Sequence, residues 1–487
     1  MRTTITDHGA RPDGVFLNTA AIQAAIDAVA AAGGGQVVVP PGVWLTGMIR
    51  LRDRIHLHLE PGAVLKAAAK PEEHPKRDIA YGMEWNGGWK KHGRFHLLLA
   101  EGCRDIAITG LGTFDGNGTA FYPKPASDLC WPLGYADDKR MCTCVEITGC
   151  RNVRIEGITI TNVAFWTLHL HDSDQVRVSG IRIDNPANAP NADGIDITGC
   201  RGVAISDCFI DTCDDAVCLK TFPGGRSCED VAVTNCILRT HCVALKFGCV
   251  ESFADMRNVT FANCVVRGSH RAVGIYSLEG GIVENVRIEN ITCDTRAPLM
   301  FTRPIHIDLR RRRAQATGDL PASTLGAVRN VRISGLTAES TGRIVMTAEP
   351  GAMLEDIRLN DVDLRYVAVD DPAIHGRTVG GSQFSNSNPW ARTERAALVA
   401  ENIRNLFLDG FRVRWPSAPI PAGWDFKKKI ANGTHEEFLP KDWITTPEPP
   451  FAGISARQVH GGWLRGSVVS GHAGGSRVRT ERCTWEA

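Results

Sequence analysis

Along most of this chain, short runs of alternating apolar and polar residues are broken by polar turns and do not continue at helical spacing. One phrase recurs with small variations, as in "CRDIAITGLGT", "CRNVRIEGITI", "CRGVAISDCFI", "CEDVAVTNCIL", "VENVRIENITC" and "LEDIRLNDVDL". Each copy has a polar turn, an apolar-x-apolar strand, a Gly, Asn or Asp, and a second apolar-x-apolar strand. The middle residue falls at Gly110, Gly157, Gly180, Asp207, Asn235, Asn263, Asn290, Gly335, Asp361 and Gly410. Spacings in the centre of this series are 27 or 28 residues, whereas Asn290 to Gly335 is 45, which is two turns or one turn with an insertion. A residue that tolerates left-handed backbone between two period-2 strands predicts a bend, not a hairpin.

A third strand completes each repeat: "GIDIT", "AVCLK", "VALKF", "VGIYS" and "IHIDL". Three short strands per turn, each stacked on its counterpart, predict an all-β fold, a right-handed parallel β-helix or solenoid. One helix is expected, over about residues 18–33. "NTAAIQAAIDAVAAAGGGQ" has a polar cap at Asn18 or Thr19, apolar Ile22, Ile26 and Val29, and a glycine stop. It would cap the open end of the coil. The β-helix is read as one domain over residues 1–415, and 416–487 as an irregular Pro-rich tail. From Leu464 the Gly, Ser and Arg content predicts weak order or a homo-oligomer contact.

Composition narrows the partners. Lys+Arg 55 against Asp+Glu 54 leaves a formal charge of +1, so no global field favours nucleic acid or an anionic membrane. The run Arg310 to Arg313 reads as a solvated loop. No apolar run reaches membrane-span length. The amino terminus "MRTTITDHGARPDG" lacks the apolar stretch of a secretory leader, so a cytoplasmic location is expected, or secretion if a leader has been removed. Sixteen cysteines without a CxxC pair, set in apolar strand-like contexts, read as buried free thiols and not as zinc ligands. Cys208, Cys236 and Cys264 fall in one column of the repeat.

Candidate chemistry lies just before the third strands. Asp193 precedes "GIDIT", Asp214 and Asp215 precede "AVCLK", His241 precedes "VALKF", and His270 and Arg271 precede "VGIYS". One turn separates each group from the next, so they are expected on one corner of successive turns, where turn residues alone have no reason to gather. Clustered carboxylates suit glycoside hydrolysis, because like charges push one group to hold its proton while another stays a base. Inverting hydrolysis needs about 6.5–9.5 Å between the two, a distance adjacent turns can supply.

At these residues the chain resembles glycoside hydrolase family 28, the polygalacturonase-like β-helix enzymes. "NADGID" is similar to the family's Asn-Thr-Asp segment, "CDDAVCLK" to its Asp-Asp segment, and "THCVALKFG" to its Gly-His-Gly segment, with Thr240 and Cys242 in place of glycines. "HGARPDGVFLNTAAIQAAIDAVAAAGGGQVVVPPGVW" looks like the family's opening. The resemblance implies Asp214 as general acid, Asp193 and Asp215 as the carboxylates that activate water, and His241 beside the acid. It also implies inversion and no metal or other cofactor. Where family polygalacturonases carry Arg-Ile-Lys to hold a uronate, this chain has Gly274-Ile275-Tyr276. Either the sugar is neutral or Lys220, Lys246, Arg271 or Arg303 replaces those cations; for Lys220 and Lys246, which close their strands in equivalent places, a ladder of solvated lysines and a substrate site are equally good readings. Asn191, Trp166, His270 and Tyr276 complete the expected substrate contacts.

The expected activity is therefore inverting hydrolysis of an α-type O-glycosidic bond in oligosaccharides, exo-acting and not that of a standard polygalacturonase. Loops carrying Trp85, Trp89, Tyr122, Trp131 and Tyr135 would together wall the groove into a pocket, while any one of these aromatics taken singly is expected to pack on the scaffold. A β-helix polysaccharide lyase using calcium and an Arg or Lys base is the alternative, as is a non-catalytic carbohydrate-binding β-helix.

Overall fold

The computed structural model describes residues 1–75, 83–85, 88–90, 96–122, 143–296, 302–316, 320–369, 388–417 and 450–486, with backbone alone for 83–85 and 88–90. Trp85, Trp89, Trp131 and Tyr135 lie outside the residues whose side chains are described. Two compact units are present, Met1–Ile237 and Leu238–Ala487. Each is built of right-handed parallel β-helix.

In the first unit, three parallel sheets follow the three strands of the repeat. The sheet that carries the acidic residues stacks His96–Glu101, Thr143–Thr148, Trp166–His171, Ile195–Thr198 and Val217–Thr221 in register. Period 2 sends Val145, Leu168, Ile195 and Val217 into the core in one column, and Ile147, Leu170, Ile197 and Leu219 in the next. Burying each such side chain contributes about 1.5–3 kcal/mol. The alternate positions, Glu146, His169, Asp196 and Cys218, form a column on the opposite face.

All ten residues of the Gly/Asn/Asp column have positive φ, from 50° at Asp361 to 116° at Gly110. The bend is thus set by residues that tolerate the left-handed region. A second left-handed column, unread in the sequence, opens each repeat: Asp105, Asn152, Gln175, Gly202 and Asp230 in the first unit, Asn258, Asn285, Asn330 and Asp356 in the second. The long spacings are single turns with insertions. Arg104 pairs with Arg151 across one such gap, and Glu289 with Ser334 across another.

The helix is Thr19–Ala31, with Ile22, Ala25, Ile26 and Val29 buried. Asn18 does not cap it through its side chain; its amide instead ties the preceding loop, accepting from the Arg11 backbone at 2.7 Å and donating to the Phe16 carbonyl at 2.8 Å. A second, short helix, Pro389–Thr393, was not expected; Asn388 caps it by accepting from the backbone of Trp390 and Ala391. No helix among the described residues is long and apolar enough to cross a membrane.

Two expectations need correction. The carboxyl-terminal segment is not an irregular tail throughout, since Ala452–Arg465 pairs in parallel with Ala396–Asp409 and Val478–Glu481 adds a further strand. Its inward residues are Ala452, Ile454, Ala456 and Val459, an apolar alternation hidden among Gly and Arg. Arg310 to Arg313 are not a freely solvated run: all four are ion-paired, although Arg311 stays exposed. Arg310 pairs with Asp308, Arg311 with Glu349, and Arg312 and Arg313 with the buried Glu279. Tyr122 is buried at 5% exposure, packed in the protein as expected for a single aromatic of these loops. The cysteines follow expectation: no disulfide forms among the described ones, and all but Cys483 are buried.

Candidate active site

In the first unit, the turn Asn191–Gly194 enters the strand Ile195–Thr198, and the turn Cys213–Ala216 enters Val217–Thr221. Backbone bonds lock the turns together: Gly194 donates to the Asp215 carbonyl at 2.8 Å, and Thr167 donates to that of Asp193 at 2.9 Å. A Cβ at Gly194 would meet the Ala216 carbonyl oxygen at 2.4 Å, so only glycine allows this approach. Asp193, Asp214 and Asp215 are thereby placed on adjacent rungs, about 4.8 Å apart along the coil. All three are buried.

Each carboxylate has its own environment. Asp214 accepts from the Asn191 side chain through Oδ2 at 3.4 Å and from the Asp215 backbone through Oδ1 at 3.0 Å. Asp193 accepts from Lys220 Nζ at 2.8 Å, and the same ammonium lies 2.8 Å from Oδ1 of Asp196. Burial pushes the Asp196 carboxyl well above the ordinary range; Lys220 opposes this, while Asp193 and Asp215 add to it. Trp166 is buried, with Lys220 Nζ 3.6 Å from its ring centroid, so that face is already taken. Lys220 is accordingly no solvated lysine: it is 2% exposed and bound to carboxylates.

Sequence reasoning passed over the polar column beside these residues. His169 bonds Glu146 at 2.9 Å through Nδ1 and Thr198 at 2.9 Å through Nε2, and packs edge-on to Trp166 with centroids 5.0 Å apart. Asp196 and His169 occupy the outward position of their strands, in register. A polar residue at that position in successive third strands was the available signal.

The second unit holds the other candidates. His241, two residues before the strand Val243–Ser252, and Lys246 within it are buried. On the next two rungs, Arg271 pairs in register with Arg303. Arg271 donates to the Tyr276 hydroxyl at 2.8 Å, Arg303 bonds His306 at 2.8 Å, and His306 lies 3.2 Å from the same hydroxyl. His270 is buried beside them, its carbonyl accepting from the Arg303 backbone at 2.9 Å. Burial and the charges of Arg271 and Arg343 hold the Arg303 pKa well below its usual value; burial, Arg303 and Arg271 do the same for His306. Positive charge this compressed favours an anion. The structure thus brings together Asn191, Asp193, Asp214, Asp215, Lys220 and Trp166 in the first unit, and His270, Arg271, Tyr276 and Arg303 in the second.

Fold and site together define a right-handed parallel β-helix that carries a buried carboxylate cluster on one sheet. Comparison with known proteins agrees on the fold and gives the family. Residues 84–379, more than half of the chain, match the model of glycosyl hydrolases family 28, and the chain belongs to that family of glycosidases. A protein named "Probable polygalacturonase" from Vitis vinifera is 31% identical over 226 residues, 45% of this chain and 44% of that protein. An exo-poly-alpha-D-galacturonosidase of Dickeya chrysanthemi is 27% identical over 252 residues, 44% of this chain and 41% of that one. The crystal structure of a hyperthermoactive exopolygalacturonase from Thermotoga maritima superposes with a TM-score of 0.65 at 22% identity, covering 86% of this chain and 92% of that one, and shows the shared fold. The chain spans about half the length of the curated relatives it matches.

Proposed function

We propose that this protein is an inverting exo-glycosidase that removes an acidic sugar, of the galacturonic acid type, from the end of an α-linked oligosaccharide. The observation that carries the reading is the set of three buried carboxylates on adjacent rungs, with Asp214 and Asp193 in different environments. Asp214 serves as general acid towards the leaving oxygen. Asp193 and Asp215 activate water on the opposite face of the sugar, a two-carboxylate arrangement that suits inversion. His241 is the residue that the family pattern assigns beside the acid.

The paired guanidinium groups of Arg271 and Arg303 support an anionic sugar. They lie in register on adjacent rungs of the second unit, where their positive charge would favour an anionic sugar over a neutral one. Lys220 does not suit that role, because its charge is taken up by Asp193 and Asp196. The name of the Dickeya chrysanthemi relative supports exo action.

The test is sugar release from short α-galacturonides, α-rhamnosides and α-galactosides, with Asp214→Asn beside the wild type, and the anomer first formed read by proton NMR. Release of a uronic acid with inverted anomer, lost in the variant, is expected. A neutral sugar released equally well would remove the anionic part of the reading. An unsaturated product absorbing in the ultraviolet would replace hydrolysis by elimination.

A further inference from the structure

We infer that Lys220 is a positioning residue that fixes Asp193 as the ionised carboxylate of the acidic cluster, acting through its ammonium and not on the sugar. This inference rests on the glycosidase reading above. Lys220 stands in register with Thr198, and its stem reaches back one rung, placing Nζ 2.8 Å from both Asp193 Oδ2 and Asp196 Oδ1. The Trp166 indole closes a further side at 3.6 Å, a cation–π contact. The three charged side chains are 3%, 3% and 0% exposed, so this is a built, dry arrangement and not a surface ion pair.

Charge counting decides what the arrangement does. Two carboxylates and one ammonium carry a net negative charge if both acids ionise, and a buried site resists that. One proton is therefore retained by the pair, and burial drives it to Asp196, the more enclosed of the two. Asp193 is left ionised against the ammonium, the state a base requires. Among the described residues of the first unit, the titratable groups near the trio include Asp214 and Asp215 on the turn before Val217, and His169 and His171 on the preceding strand. Of the histidines, His169 is tied to Glu146 and Thr198, and His171 lies 3.5 Å from Asp172 and 2.9 Å from Thr148.

The consequence differs for the two partners. Lys220→Met removes the cation from Asp193 and raises its pKa, so the acidic limb of kcat/KM on short substrates moves up by about 1–2 pH units. Asp196→Asn replaces a carboxyl that is already neutral with a neutral amide, so the ammonium stays with Asp193 and the limb moves by less than about 0.5 pH unit. Lys220→Arg keeps the charge and restores most of the wild-type limb. KM changes less than about threefold in all of these if Lys220 does not touch the sugar.

The experiment is the pH profile of these three variants, with the folded fraction measured by circular dichroism. A limb raised in Lys220→Met and held in Lys220→Arg and Asp196→Asn supports the inference. A rise in KM of about tenfold in Lys220→Met with an unmoved limb would make Lys220 a substrate contact and overturn it. Should Lys220→Met fail to fold, Asp196→Asn decides: a limb moved down by about one pH unit or more would show Asp196 ionised in the wild type and overturn the charge assignment. If the wild type hydrolyses no oligosaccharide, the glycosidase reading fails separately. Carbon-13 NMR titration of the Asp193 carboxyl in wild type and Lys220→Met then still reads the clamp, and identical titrations would end it.

Discussion

Asn191 donates its side-chain amide to Oδ2 of Asp214 across 3.4 Å, from a backbone held in the left-handed region at φ 51°. The contact joins the two turns that enter adjacent rungs. It also favours the ionised form of the proposed acid, which makes Asp214 a stronger proton donor than burial alone would allow.

Replacing Asn191 with glycine keeps the backbone geometry and removes only the donor. For Asn191→Gly, kcat/KM is expected to fall about tenfold, matching about 1.5 kcal/mol for a hydrogen bond to a charged group. The alkaline limb should move to higher pH as Asp214 becomes a weaker acid. A full pH–rate profile checks both, and a downward shift would contradict the assignment.

Gly274 lies beneath the Tyr276 ring. A Cβ there would fall 2.6 Å from Cε2 and 2.7 Å from the hydroxyl oxygen, so Gly274→Ala must displace the ring and break its bond to Arg271. We expect a loss of about 1–2 kcal/mol in stability, typical of overpacking. KM for an acidic oligosaccharide should rise about fivefold, with a smaller effect on a neutral aryl glycoside. Steady-state kinetics on both substrates, with thermal melts, provide the comparison.

The Glu146–His169 pair should appear in acid stability. Burial by itself would raise the Glu146 pKa, but the charge and hydrogen bond of His169 outweigh it and pull the carboxyl from 4.5 down to about 2. A carboxylate lowered in the folded state contributes stability that is fully present above its unfolded pKa and lost as pH falls through the folded one. Wild type should therefore lose about 1–3 kcal/mol between pH of about 4.5 and 2 from this group. Glu146→Gln should be less stable at neutral pH and lack that increment. Urea titrations across the window measure it; parallel curves for both proteins would refute the pairing.

Truncation after Pro416, where the repeat phrase fades in the sequence, should be damaging. It strips Ala452–Arg465 from Ala396–Asp409, exposing an unpaired edge and the apolar contacts of Phe451, Ile454 and Val459. Trp415 would also lose its hydrogen bond to the Ser470 carbonyl. Aggregation or a melting temperature lower by more than about 5 °C is expected. A soluble protein with an unchanged melt would show that the last strands are dispensable.

Most of the coil was legible because its determinants are local. The residues at Asp207, Asn235 and Asn263 reveal themselves by interrupting apolar alternation, and the backbone obeys them. The second column, from Asp105 to Asp356, was not legible, since a polar residue in a polar turn looks like any solvated one. Asp193, Asp214 and Asp215 stood out as acids at strand entrances. Asp196 did not, because its position within "GIDIT" satisfies ordinary alternation, and only the stacked neighbours reveal that its outward face is dry. Lys220 was read either as a sugar contact or as a solvated lysine, and its ties to Asp193 and Asp196 were missed for the same reason. The strand Ala452–Arg465 was hidden by composition: glycine and arginine dilute an alternation that pairing with Ala396–Asp409 makes decisive.

The side chain of Asn330 donates to Asn285 at 2.7 Å, and that of Asn285 donates to Asn258 at 3.1 Å, although the first step spans 45 residues and the second 27. The ladder thus registers the rise of one rung and is indifferent to how much chain was spent in making it. Added length leaves the coil as a loop at one corner without shifting anything above or below. Such a scaffold separates two kinds of change: alterations to a rung spread to its neighbours, whereas alterations to a loop stay where they are made. New specificities can then be tried by exchanging loops while the carboxylates keep their places.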